Sequence, residues 1–227
     1  MRETDGRKRR LRRLVAAGIL GLVALLLVAN ALAGIARWLG PSVTAPSVDV
    51  REVESGLDPR LGRAAAALTG FGAPVWCWSS EDWNKRTTQR ARRWKTEKLG
   101  PWAGYTVVRP PAIHLSPEIC AVLRQLAEID APIKRYGARD PRAWALFAFA
   151  HEAYHAWGVL DEAEASCYGM QSIQRSARLL GRTAAEGRRL ATLFWEDLCA
   201  DLRPSYRSSE CRNGYELDKR EDTNDWP

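Results

Sequence analysis

The sequence predicts an α+β fold, mostly helical with a small sheet, behind one N-terminal transmembrane helix. Three observations carry that expectation. The chain begins with a basic cluster followed by a long uncharged run, helix start signals recur from Asp58 to Thr183, and two short aromatic or β-branched runs fall in the first half.

Seven of the first thirteen residues are basic, and Leu14 to Ala36 then runs without a charge. That run is long enough to cross a bilayer, for which about 20 residues suffice. The Arg/Lys cluster before it predicts a cytoplasmic N-terminus and a C-terminal domain on the far side of the cell membrane. A cleaved signal peptide is the competing reading, because Ala29, Ala31 and Ala33 suit a peptidase, but its apolar stretch runs only about 7–15 residues. The predicted organisation is a cytoplasmic segment over 1–13, a transmembrane helix over 14–36, a linker over 37–57 containing Pro41 and Pro46, and an extracytoplasmic domain over 58–227.

The net charge of +7 belongs almost entirely to the first segment: residues 1–37 hold eight Lys/Arg against Glu3 and Asp5. Residues 38–227 are nearly neutral, so nothing in the charge argues for a nucleic-acid partner. The basic run Lys85–Lys98 reads as a solvated helix face. All five cysteines lie after the membrane segment, where an oxidising space favours one or two disulfides and at least one remaining thiol. No two are two to four residues apart, which argues against a structural zinc site built from thiolates.

Local signals then place the elements. Asp58-Pro59 opens a helix to about Thr69, with Asp as N-cap and Pro in the first turn. "PVWCW" (74–78) reads as a strand, and Ser80 begins a second helix to about Lys95. "YTVVRPPAIHLS" (105–116) looks extended, and its prolines suit an edge or broken strand. Ser116-Pro117 caps a helix to about Asp130, and Asp140-Pro141 starts the helix ended by Gly158. Its interior, "RAWALFAFA", is apolar on nearly every face, so this helix should be the buried one. Leu160 to Leu180 is the next helix, and Thr183 with Glu186 forms a capping box opening the last, to about Leu202.

The buried helix carries His151-Glu152-Ala153-Tyr154-His155. Residues four apart share a helix face, so both imidazoles can aim at one ion. Glu152 projects about 100° around from His151, beside such an ion without ligating it. Zinc acidifies a water there, and a neighbouring carboxylate can take its proton. With three His and fifteen Glu in the chain, the chance expectation for this pentapeptide pattern is about 0.003 matches. Two satisfied core histidines are the alternative, and beside a carboxylate in so apolar a helix they would be costly without a metal.

A catalytic zinc takes a third protein ligand, and Asp161, Glu162 and Glu164 come soon after. The stretch resembles the HExxH zincin metallopeptidases, strongly over about 20 residues from His151. In their glutamate-ligand branch, Glu162-Ala163-Glu164-Ala165-Ser166 matches with Glu162 as ligand and Ser166 where an acid or amide is usual, after a shorter connection than that branch commonly has. In the branch written HExxHxxGxxH, whose last place is occasionally Asp, the match is Gly158 and Asp161. Asp161 with Glu164 is also a capping box, which leaves Glu162 for the metal. Ser166, one turn on, can hydrogen-bond a ligand.

The resemblance implies Zn2+ held by His151, His155 and Glu162, Glu152 as general base, and protein or peptide substrates laid along an edge strand, for which "AIHLS" is the candidate. His114 within it is expected to face solvent, and Met170, Tyr154 and Tyr168 to pack. A non-catalytic metal-binding or envelope interaction module keeping the same fold is the rival function; Glu152, with no ligand duty, favours the enzyme.

Overall fold

The structure, a computed structural model of the chain, describes residues 53–94, 103–126 and 140–219. They belong to the second of two compact units, Met1–Thr44 and Ala45–Pro227. The predicted segments 1–13 and 14–36 lie outside the described residues, as does most of 37–57. Among the described residues no helix is long and apolar enough to cross a membrane.

The α+β expectation holds, with seven α-helices around a four-stranded sheet of order β1-β2-β4-β3 among the described residues. β1 (Gly56–Leu57) pairs antiparallel with β2 (Val75–Cys77), β2 runs parallel to β4 (Pro111–Leu115), and β3 (Gly104–Val108) is antiparallel to β4. The expected linker therefore ends earlier than residue 57, since Val53 is buried and residues 56–57 belong to the sheet. The helices are α1 (Pro59–Thr69), α2 (Ser80–Trp94), α3 (Pro117–Gln125), α4 (Pro141–Trp157), α5 (Glu162–Gln171), α6 (Ile173–Leu179) and α7 (Ala184–Leu193).

Most starts are where local chemistry puts them. Asp58, Ser116, Asp140, Asp161 and Thr183 each accept an amide hydrogen bond from the first turn of the helix they open, and Pro59, Pro117 and Pro141 occupy first-turn positions. The helix expected over 160–180 is two helices, broken at Ser172. The Ser172 backbone bends there, and its Oγ lies 2.9 Å from the Tyr154 hydroxyl rather than capping α6. The last helix also stops early, passing into a π turn over Phe194–Leu198 and a 3-10 turn over Cys199–Asp201.

The two faces of the sheet differ. Val75, Cys77, Ile113 and Leu115 are buried toward α4 and join the main core. On the other face Trp76, Trp78, His114 and Tyr105 form a stacked row, with Trp83 of α2 closing on Tyr105 at 5.7 Å. β4 lies between β2 and β3, so "AIHLS" is not the edge strand. Pro110 sits in the turn and Pro111 opens β4, which turns the expected broken strand into a hairpin and leaves β3 at the edge. His114 is accordingly buried rather than solvent-facing. Trp78 Nε1 donates to its Nδ1, and burial, helped by Arg86 and Arg90, holds its pKa down to about 4.

Two disulfides staple the fold. Cys77–Cys120 joins β2 to α3, and Cys167–Cys211 ties α5 to the C-terminal segment. Cys199 is the remaining thiol, and burial pushes its pKa up, which disfavours the thiolate.

Because folding keeps His114 neutral, its contribution to stability is complete above the unfolded value near 6.5 and is lost as pH falls toward 4. Urea unfolding of the full chain should show His114→Gln, which keeps an acceptor but cannot be protonated there, losing less stability between pH 7 and 5 than the wild type; equal losses would refute this.

Candidate metal centre

α4 is buried on nearly every side, and its apolar faces are supplied largely by alanine: Ala143, Ala145, Ala148, Ala150, Ala153 and Ala156 are all buried. Small side chains let the sheet, α1, α3 and α5 approach its backbone closely. Gly169 does the same from α5: a Cβ there would stand 3.2 Å from the backbone nitrogen of His151. Gly158, at φ 121°, then turns the chain out of α4, and Asp161 starts α5 so that its first turn returns to the histidines.

This packing brings His151, His155 and Glu162 together, with one ligand atom from each lying within 4.8 Å of the others. The two Nε2 atoms are 3.0 Å apart, and Glu162 Oε2 lies 3.1 Å from His151 Nε2 and 3.3 Å from His155 Nε2. Three donors about 2.0–2.1 Å from a tetrahedral ion stand roughly 3.3 Å from one another. The donor set and its spacing thus fit zinc.

The outer nitrogens are held as well. His155 Nδ1–H donates to the Val159 carbonyl at 2.6 Å, and Ser166 Oγ lies 3.2 Å from His151 Nδ1, where it can accept a proton. Val159 is fixed by packing with Tyr154 and Ala165. A ring protonated at Nδ1 alone turns its Nε2 lone pair to the cluster, as a metal ligand must, whereas a ring that also carries an Nε2 proton donates it to Glu162. Burial disfavours the charged form of His155, but its bonds to Glu162 and the Val159 carbonyl and the nearby Glu152 charge outweigh that and raise its pKa. Hydrogen bonds from both histidines hold the Glu162 carboxyl well below the usual range.

Asp161 is not in the cluster. Its Oδ1 accepts from the Glu164 amide at 2.8 Å, which is the N-cap half of the expected capping box; the return bond from the Asp161 amide to the Glu164 side chain is not formed. Glu164 bonds the Tyr168 hydroxyl, and Met170 is buried in the core.

Glu152 lies beside the triad and lines the same cleft, of about 530 Å³. Its backbone position on α4 faces β3, and Thr106 Oγ1 donates to its Oε2 at 2.8 Å. Gly104 permits this approach, because a Cβ there would meet Glu152 Cγ at 3.0 Å. Burial raises the Glu152 pKa against the opposing pull of the two histidines and Thr106. On the opposite wall, Tyr206 stacks on His151 with ring centroids 5.6 Å apart. Burial, with Glu162 and Glu152 nearby, pushes its pKa up to about 12. Thr106 and Tyr206 were not singled out from the sequence. Both act across long separations, and no spacing announces them.

Comparison with protein-family models, with curated proteins and with solved structures finds no match for the chain, so the reading of the site rests on its own geometry.

Glu162→Ala should abolish stoichiometric zinc uptake by the full chain. Asp161→Ala should keep the zinc and cost about 1 kcal/mol in urea unfolding, the usual cost of a lost N-cap. Zinc retained by the first variant and lost by the second would place the third ligand at Asp161.

Proposed function

We propose that this chain is a zinc-dependent, HExxH-type metalloendopeptidase, resembling the zincins, in which His151, His155 and Glu162 hold the ion. One observation carries the reading: three ligand atoms converge beside a buried carboxylate that is not one of them, on an open cleft flanked by the edge strand β3. When bound, zinc would supply a Lewis acid that acidifies water and polarises a carbonyl.

The remaining work falls to the chain's own groups. Glu152, its Oε2 held by Thr106, takes a proton from the attacking water and returns it to the leaving amine. Tyr206 keeps its hydroxyl proton at neutral pH and can donate it toward the developing oxyanion. β3 offers its outer backbone groups to an extended peptide. A purely structural metal site gains nothing from a buried Glu152, which counts against the interaction-module reading.

The uncharged run 14–36 and the basic cluster before it support a single-pass anchor with the catalytic domain outside the cytoplasm. Two disulfides in the fold are in keeping with an oxidising compartment.

Glu152→Gln should retain one equivalent of zinc while hydrolysis of denatured protein substrates falls by about 10²–10⁴-fold, the range for loss of general acid–base catalysis. Zinc-loaded wild type and variant with equal rates would sink the catalytic role.

A further inference from the structure

β3 has a second cavity on its other side. A groove of about 650 Å³ runs between β3 and α2, and Arg86, Arg90 and Arg93 of α2 and Arg109 after β3 line it, with no acidic residue among the described residues of its walls. Positions 86, 90 and 93 are spaced to share one helix face. The guanidinium carbon of Arg86 lies 3.6 Å from the Trp78 ring centroid, and that of Arg90 lies 4.5 Å from Tyr105. Stacking of this kind fixes the planar group of Arg86 over its ring, and Arg93 and Arg109 add exposed guanidinium groups to the same groove. Of the α2 acids, Glu81 pairs with Lys85 at 2.7 Å, and Asp82 bonds Ser55 while also interacting with the charge of Arg86. His114 beneath the stack is held neutral by burial and by Arg86 and Arg90, as a positive local potential requires.

The groove and the metal-side cleft share Arg90, Tyr105, Thr106 and Val108. Within β3, Tyr105 turns toward α2 and Thr106 toward Glu152. A peptide added beside β3 adopts the same two-residue alternation, so side chains adjacent in its sequence go to opposite sides. We infer that the arginine groove is a specificity subsite for an acidic side chain, next in sequence to the residue presented to the metal-side cleft. This rests on the proposed peptidase reading for its context, and only the geometry of β3 links the two.

The test has a binding arm and a cleavage arm, both with the zinc-loaded full chain in detergent. In the binding arm, short fluorescein-labelled peptides carrying Glu or Gln at otherwise identical positions are titrated against Glu152→Gln protein by fluorescence anisotropy. The Glu peptide should bind at least ~10-fold tighter, as expected for a charge-assisted contact. Adding Arg93→Glu and Arg109→Glu, both exposed and away from the ring stacks, should abolish or invert that preference with zinc content unchanged. Arg93→Lys with Arg109→Lys should keep most of it. Equal binding of the two peptides, a preference untouched by charge reversal, or an oligonucleotide binding the groove while both peptides fail, would overturn the subsite. In the cleavage arm, wild-type cuts in a denatured protein mixture should show Asp or Glu enriched at one fixed position near the scissile bond, and charge reversal should erase it. Cleavage without that enrichment overturns the subsite and leaves the peptidase standing. Absence of cleavage with arginine-dependent Glu-peptide binding overturns the peptidase and leaves the subsite standing.

Discussion

Everything around the site depends on how closely other elements can approach α4. A helix buried on all sides needs neighbours on all sides, and each neighbour must come close without leaving voids. Alanines on the helix and Gly169 across from it supply that closeness, while Phe147 and Phe149 fill the wider gaps. Polar groups can persist in such an interior only when their hydrogen-bonding atoms are matched. His151, Glu152 and His155 meet that condition through one another, Glu162, Thr106, Ser166 and the Val159 carbonyl.

The same logic explains why the third member of the cluster is Glu162. Asp161 is spent on the amide that starts α5, and starting α5 there directs the next side chain back toward the histidines. The capping by Asp161 and the placing of Glu162 beside the histidines are two results of one turn geometry, set by Gly158 at the end of α4. The C-terminal segment, fastened to α5 through Cys167–Cys211, brings Tyr206 against the far side of His151.

Much of this was legible in the sequence where the causes are local. An N-cap acts on amides two or three residues away, so Asp58, Ser116, Asp140 and Thr183 announced their helices, and the pentapeptide with the acids after it announced the cluster. Strand order was not legible. The parallel pairing of β2 with β4 joins residues almost forty apart, and the prolines near 110 suit a turn as well as an edge strand. His114 was misplaced for that reason, since its burial comes from where β4 sits rather than from its neighbours in the chain. The break at Ser172 likewise depends on a hydroxyl of α4, and Tyr206 on a disulfide-tied segment.

The anchored outer nitrogens of the two histidines bear on the order of assembly. Where a small domain has no core of its own, metal capture and folding are one event, and a chelator unfolds the protein. Here the imidazoles are oriented by a buried serine, by the carbonyl of Val159, which packs with Tyr154 and Ala165, and by the interior of α4, in a fold that two disulfides fasten. A cation that bound this cluster would therefore be a late arrival at a finished frame, a guest that the scaffold would release and take up again without first coming apart.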